Sequence, residues 1–162
     1  MQSHPNVQAV QDALDAAGAR DAAGEPGRVK VLDEPVHTAA AAAAALGIEV
    51  GQIANSLIFD ADGEPLLVLT SGAHRVDTAK VAALLGIGRV KRASADFVRD
   101  HTGQVIGGVS PLGHPKPLRT LVDEDLGQYD EVWAAGGIPQ AVFPITFAEL
   151  VRVTAGTAAS VA

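Results

Sequence analysis

The apolar positions of this chain change period several times, and each change marks an element. Val7, Val10, Leu14 and Ala17 recur at helical spacing, with Ser3 and Pro5 placed to cap and open that helix and Gly18 to end it. Val29 and Val31 then alternate with Arg28 and Lys30 as in a half-buried strand, which Pro35 stops. Thr38 is set to cap an alanine-rich helix over 39–46, and Gly47 stands where a left-handed C-terminal residue belongs. Two apolar runs, 53–60 and 65–71, flank Ala61, Asp62, Gly63 and Glu64 and read as a central hairpin.

Asp77 caps the next helix, which carries Val81, Leu84 and Leu85 and closes at Gly86. A short strand surrounds Val90, and Ser94 caps a further helix ending at Gly103. Residues 103–117 turn to Gly and Pro and follow neither period, so they form a shaped loop. Strands are expected at Leu121–Val122, 132–135 and 141–145, a capping box at Thr146 and Glu149, and a fraying tail over 155–162. The alternation predicts an α/β protein, one domain spanning 1–162, whose sheet has six or seven strands.

Composition narrows this picture. Hydrophobic residues make up 48% but aromatics only 4%, so Ala, Val, Leu and Ile must fill the core. The absence of cysteine excludes a disulfide framework, a thiolate zinc site and a cysteine nucleophile. No apolar run approaches the roughly 20 residues of a membrane span, and residues 1–6 are polar, so a cytoplasmic protein without a membrane partner is expected. The net charge of -7 is unevenly spread: between Ala73 and Arg119 eight cations face only Asp77, Asp96 and Asp100, a local charge of +5 that leaves -12 for the remainder. That segment reads either as a phosphate-binding face or as solvated helix surface.

Candidate chemistry is sparse. The histidines, His4, His37, His74, His101 and His114, show no paired metal-ligand spacing, and no metal or cofactor is expected. Ser110 sits in Gly-Gly-Val-Ser-Pro-Leu-Gly, whose spacing is wrong for a nucleophile elbow, so a turn-forming hydroxyl is the simpler role. Gly107 and Gly108 lack a Cβ and let backbone N–H groups approach a ligand, with Pro111 and Pro115 stiffening the loop that carries them. Ser71, His74, Arg75, Asp77 and Lys80 cluster at a strand-to-helix turn, where a phosphate docks or where Asp77 merely caps the helix.

Taken in order, Ala43-Ala44-Ala45-Leu46-Gly47, Gln52-Ile53-Ala54-Asn55-Ser56-Leu57-Ile58-Phe59, Arg75-Val76-Asp77-Thr78-Ala79-Lys80, Gly107-Gly108-Val109-Ser110-Pro111-Leu112-Gly113 and Leu121-Val122-Asp123 resemble the YbaK and prolyl-tRNA synthetase editing-domain family of aminoacyl-tRNA deacylases, ProX-like proteins included. The resemblance implies a twisted, barrel-like mixed sheet flanked by helices, and a pocket for the acceptor end of an aminoacyl-tRNA. It also implies cleavage of the ester of a small mischarged amino acid (Ala, Cys, Ser or Thr) by a bound water, with contact to a synthetase allowed. On this reading Asn55, Gly107 and Gly108 carry catalysis. Ser56, Ser71, His74, Arg75, Asp77, Lys80, Ser110, Pro111 and Gly136 bind substrate. The family commonly has lysine where Asn55 stands, so a module that kept the fold and the tRNA-end pocket but lost hydrolysis is the second reading.

Overall fold

The computed structural model describes residues 4–162 and is organised by the central hairpin. Its arms, β2 (Ile53–Ala61) and β3 (Glu64–Ser71), pair antiparallel from Ala54↔Ser71 to Ala61↔Glu64. Residues 66–71 of β3 are buried throughout, because both faces of the sheet are covered there. Leu67 and Leu69 face one core, with Val10 and Leu14 of α1 (Pro5–Ala17), Val98 of α4 (Ala95–Thr102) and Leu150 of α5 (Phe147–Thr154). Leu66 and Val68 face the other, with Val81 and Ala82 of α3 (Thr78–Leu85).

The remaining strands are β1 (Lys30–Val31), β4 (Val90–Arg92), β5 (Arg119–Asp123), β6 (Val132–Ala135), β7 (Ala141–Ile145) and β8 (Thr157–Ala159). The eight-stranded mixed sheet runs β1-β7-β6-β2-β3-β5-β8, with β4 added on β2. A short helix, α2 (Ala39–Leu46), lays Ala42 and Ala43 on Ile53. Thr38, Asp77, Ser94 and Thr146 each accept a hydrogen bond from the third helical N–H, as their residue types predict.

Four local expectations are corrected. His4 caps α1, its Nδ1 accepting from the Asn6 N–H at 3.0 Å, while Ser3 lies outside the described residues. The strand around Val29 shrinks to two residues at a sheet edge, leaving Val31 58% exposed. The box at Thr146 is one-sided: Glu149 turns to the Arg20 N–H and to Arg152, whose guanidinium holds the carboxyl below its usual range. The tail does not fray. β8 pairs parallel with β5 and Val161 is fully buried, a long-range pairing that small residues such as Ala158 and Ala159 do not announce.

Candidate functional site

One edge of β2 is shared by two strands that do not meet. β6 takes Ile53 and Ala54, β4 takes Phe59 to Ala61, and residues 55–57 between them have no strand beside them on that edge. A cleft opens at this fork, which is why neighbouring residues of opposite parity, Asn55 and Ser56, both line it. Asn55 is half-buried, and its amide has no protein partner among the described residues, so it is not a satisfied core asparagine. Ser56 Oγ is buried and has no hydrogen-bond partner among the described residues. A hydroxyl in that state costs about 1–3 kcal/mol unless something binds it.

The cleft has two chambers joined at His37, Thr38, Asn55, Ser56, Gly107 and Val109. The inner recess encloses about 40 Å³, walled by apolar residues such as Ala42, Ile53, Trp133 and Val142. The outer groove is far larger, about 810 Å³, and is lined by Leu57, Phe59, His74, Arg75, Arg92 and Ile106 among others. Among the described residues, no carboxylate belongs to either lining.

The 103–117 loop is held from beneath by buried polar groups. Ser110, fully buried, donates its hydroxyl to the Leu112 carbonyl at 2.6 Å, and its N–H bonds Gln104 Oε1 at 2.8 Å. His114 Nε2 meets the Ser110 carbonyl at 2.8 Å, and burial lowers the pKa of this imidazole despite that bond. Gly107 takes φ +93°, a left-handed conformation, and a Cβ there would stand 3.3 Å from His37 Nδ1. Among the described residues nothing accepts from the Gly107 N–H.

Five of the expected residues therefore converge on the cleft: Asn55, Ser56, His74, Arg75 and Gly107. The others do different work. Gly108 gives its N–H to the Val105 carbonyl at 3.0 Å, and a Cβ on it would lie 2.7 Å from the Ile138 carbonyl carbon, so it packs two loops together instead of presenting a donor. Gly136 is likewise a packing contact, tight against Val29 and Ala141. Ser110 and Pro111 are buried inside the loop. Ser71 Oγ donates to the Gly51 carbonyl at 2.8 Å.

Asp77 caps α3, and Lys80 Nζ bonds Ser160 Oγ at 2.8 Å and the Ala162 carbonyl at 2.9 Å, so both fasten the end of the chain to that helix. His74 is gripped from both sides, Nδ1 2.9 Å from Asp123 Oδ2 and Nε2 3.0 Å from Asp125 Oδ2, which fixes the turn that carries Arg75. These three side chains have the donor types of a cation site, yet their contacts with one another account for the arrangement.

Sequence reasoning missed His37, Arg92 and Ile106. His37 was tested only for metal-ligand spacing, and Arg92 was one cation among eight. Nothing local marks either as lining a cleft.

Comparison with known proteins agrees with this fold. Residues 33–153 match the family model described as the aminoacyl-tRNA editing domain. A crystal structure described as a candidate trans-editing enzyme for prolyl-tRNA synthetase superposes with a TM-score of 0.88 at 41% identity, covering 98% of both chains. The proline--tRNA ligase of Bacillus licheniformis is 38% identical over 106 residues, 62% of this chain but only 18% of that enzyme. YwhH of Bacillus subtilis, an uncharacterized protein, is 29% identical over 110 residues, 67% of this chain and 69% of its own.

Proposed function

Given that this chain belongs to the aminoacyl-tRNA editing-domain family, we propose that it hydrolyses the ester joining a small, wrongly attached amino acid to the 3′ end of tRNA. The observation that carries the reading is the fork of the sheet. It joins a small apolar recess to a wide groove without carboxylates, and at the junction stands a buried hydroxyl with nothing to bind.

On this reading the amino-acid side chain enters the recess, and the terminal adenosine and its phosphates occupy the groove. The ester carbonyl then lies at the junction, where Ser56 Oγ, the Asn55 amide and the Gly107 N–H are the donors at hand. A bound water attacks the carbonyl carbon, the bond from that carbon to the ribose oxygen breaks, one water proton ends on the leaving ribose oxygen and the other goes to solvent, and the amino acid departs as its free carboxylate. The protein supplies position and hydrogen bonds and no covalent nucleophile. That is enough for an activated ester, because one preorganised oxyanion donor is worth about 10²–10³ in rate. His37, on both chambers and against Gly107, orders the junction from the other side.

The recess favours alanine among the small candidates. Its walls offer apolar contact at Ala42, Ile53, Trp133 and Val142, and a side chain with only a methyl group leaves no polar atom there unpaired. Such a pocket rejects an added hydroxyl only weakly, by a factor of about 10², so serine is the second substrate. Deacylation of alanyl-, seryl-, cysteinyl- and threonyl-tRNA by the purified protein tests this order. Faster turnover of threonyl- than alanyl-tRNA would overturn the assignment of the recess.

A further inference from the structure

The outer groove is lined by two arginines and by no carboxylate among the described residues. With 19 carboxylates against 12 lysines and arginines, the chain as a whole carries a net charge of -7. The groove instead gathers Arg75, from the turn before α3, and Arg92, from the end of β4. Their sources are far apart in sequence. Arg92 reaches it because β4 pairs with β2 at Phe59↔Arg92, which sets the guanidinium beside the wall that Phe59 forms.

Neither guanidinium has an ion-pair or hydrogen-bond partner among the described residues. Other cations are engaged: Lys91 with Asp60 at 4.0 Å, Arg99 with Asp96 at 3.5 Å, Arg152 with Glu149, Arg20 with the Gly24 carbonyl, and Lys80 with the chain end. Arg28, Lys30, Arg89, Lys116 and Arg119 also lack carboxylate partners, but they do not line the groove. Ile106, 56% exposed in the lining of the same groove, adds an apolar surface of the kind a base covers.

We propose that Arg92, together with Arg75 and in place of Lys80, forms a two-guanidinium clamp for the phosphates of the acceptor strand. Two forks of fixed donors, unpaired by carboxylates, suit successive phosphates better than a single flexible ammonium already bound to the protein. Base identity is not read by such contacts, so the clamp gives affinity and register while the recess gives selection. The inference rests on the deacylase reading for the identity of the polynucleotide, but the clamp itself is tested by binding alone.

The probe is an uncharged acceptor-stem RNA hairpin ending in CCA, titrated by fluorescence anisotropy across a salt series, with adenosine 5′-monophosphate as competitor. Arg75→Gln and Arg92→Gln are each expected to lower the salt slope by about 0.7–0.9, one phosphate contact, and to weaken unrelated hairpins alike. Lys80→Gln should leave slope and affinity unchanged. All three positions are exposed, and cooperative melting transitions well above the assay temperature will show that the folds are intact.

An Arg92→Gln protein with the parent's slope and affinity overturns the clamp. So does displacement of the hairpin by an equal concentration of the mononucleotide, which would assign the groove to a free nucleotide. The parallel deacylation assay separates the two ideas. If the parent hydrolyses mischarged tRNA and Arg92→Gln keeps its slope and KM, the clamp alone falls. If no mischarged tRNA is hydrolysed while the slope drops in Arg92→Gln, the clamp stands and the hydrolytic reading falls.

Discussion

At its inner end the cleft is walled by Ala42, Ile53, Trp133 and Val142 and encloses about 40 Å³, whereas its outer end carries Arg75 and Arg92 around some 810 Å³. The inner walls are held on three sides by β2, β6 and α2, so their positions are set by sheet register and helix packing. The outer groove shares β2 as its floor, but its two guanidinium groups come from a turn and a short strand, Arg75 from the residues before α3 and Arg92 from β4. Apolar walls discriminate by shape, while unpaired cations attract charge over a distance. The two ends should therefore respond to different perturbations, selection changing at one and salt dependence at the other.

The sharpest break in that division lies at the junction itself. Ser56→Ala is expected to lower deacylation by about 10²-fold, the worth of one oxyanion donor, while leaving the melting temperature unchanged or higher, because it removes a buried hydroxyl that has no partner. A merely structural serine would show the reverse. Gly107→Val should cost at least as much activity, since its φ of +93° and the approach of His37 both resist a branched side chain. Gly108→Ala should instead lower stability first, its Cβ meeting the Ile138 backbone at 2.7 Å. Melting curves and single-turnover rates measured on the same samples separate these two neighbours.

Within the recess, Val142→Ala widens the wall and should erode the preference for alanine over the next larger apolar side chain by 10- to 200-fold, about 1–3 kcal/mol, without altering the salt slope. A changed slope with unchanged selectivity would dissolve the division between the two ends. Asn55→Ala should reduce deacylation by at least about tenfold, roughly 1.4 kcal/mol. Its amide is half-exposed in the cleft with no protein partner, so the loss in stability should be the smaller effect.

The smallest effect expected is a drift with pH. Burial lowers the His114 pKa from 6.5, so the unfolded chain takes up the proton more readily. The stability tied to neutral His114 is present above about pH 6.5 and is lost as pH falls through the folded value. Melting temperatures should drift down below that pH, and His114→Gln should remove this part of the drift. An identical pH profile in the variant would remove His114 from the support of the 103–117 loop.

How much of this was legible in the chain depended on distance along it. Thr38, Asp77, Ser94 and Thr146 cap their helices through residues three positions away, and the hairpin needs only the two-residue connection Asp62–Gly63, so local pattern sufficed. The fork could not be read, because it arises from β4 and β6 arriving at opposite ends of β2 from 30 and 80 residues away, and pattern carries no register over such spans. Lys80 and Arg92 illustrate the same limit. The motif placed Lys80 at the site and the folded chain end claimed it, while Arg92 came to the groove only through pairing with Phe59.

The most direct test is a single-turnover deacylation panel with the parent protein on alanyl-, seryl-, cysteinyl- and threonyl-tRNA, each on the same proline-accepting tRNA. The account predicts hydrolysis above the uncatalysed rate for alanine first and serine within about 10²-fold of it, and no covalent adduct on quenching. Rates equal to the uncatalysed background for all four esters, with the hairpin RNA still bound, would contradict it and leave a tRNA-end binding module with Asn55 in the position of the family's lysine.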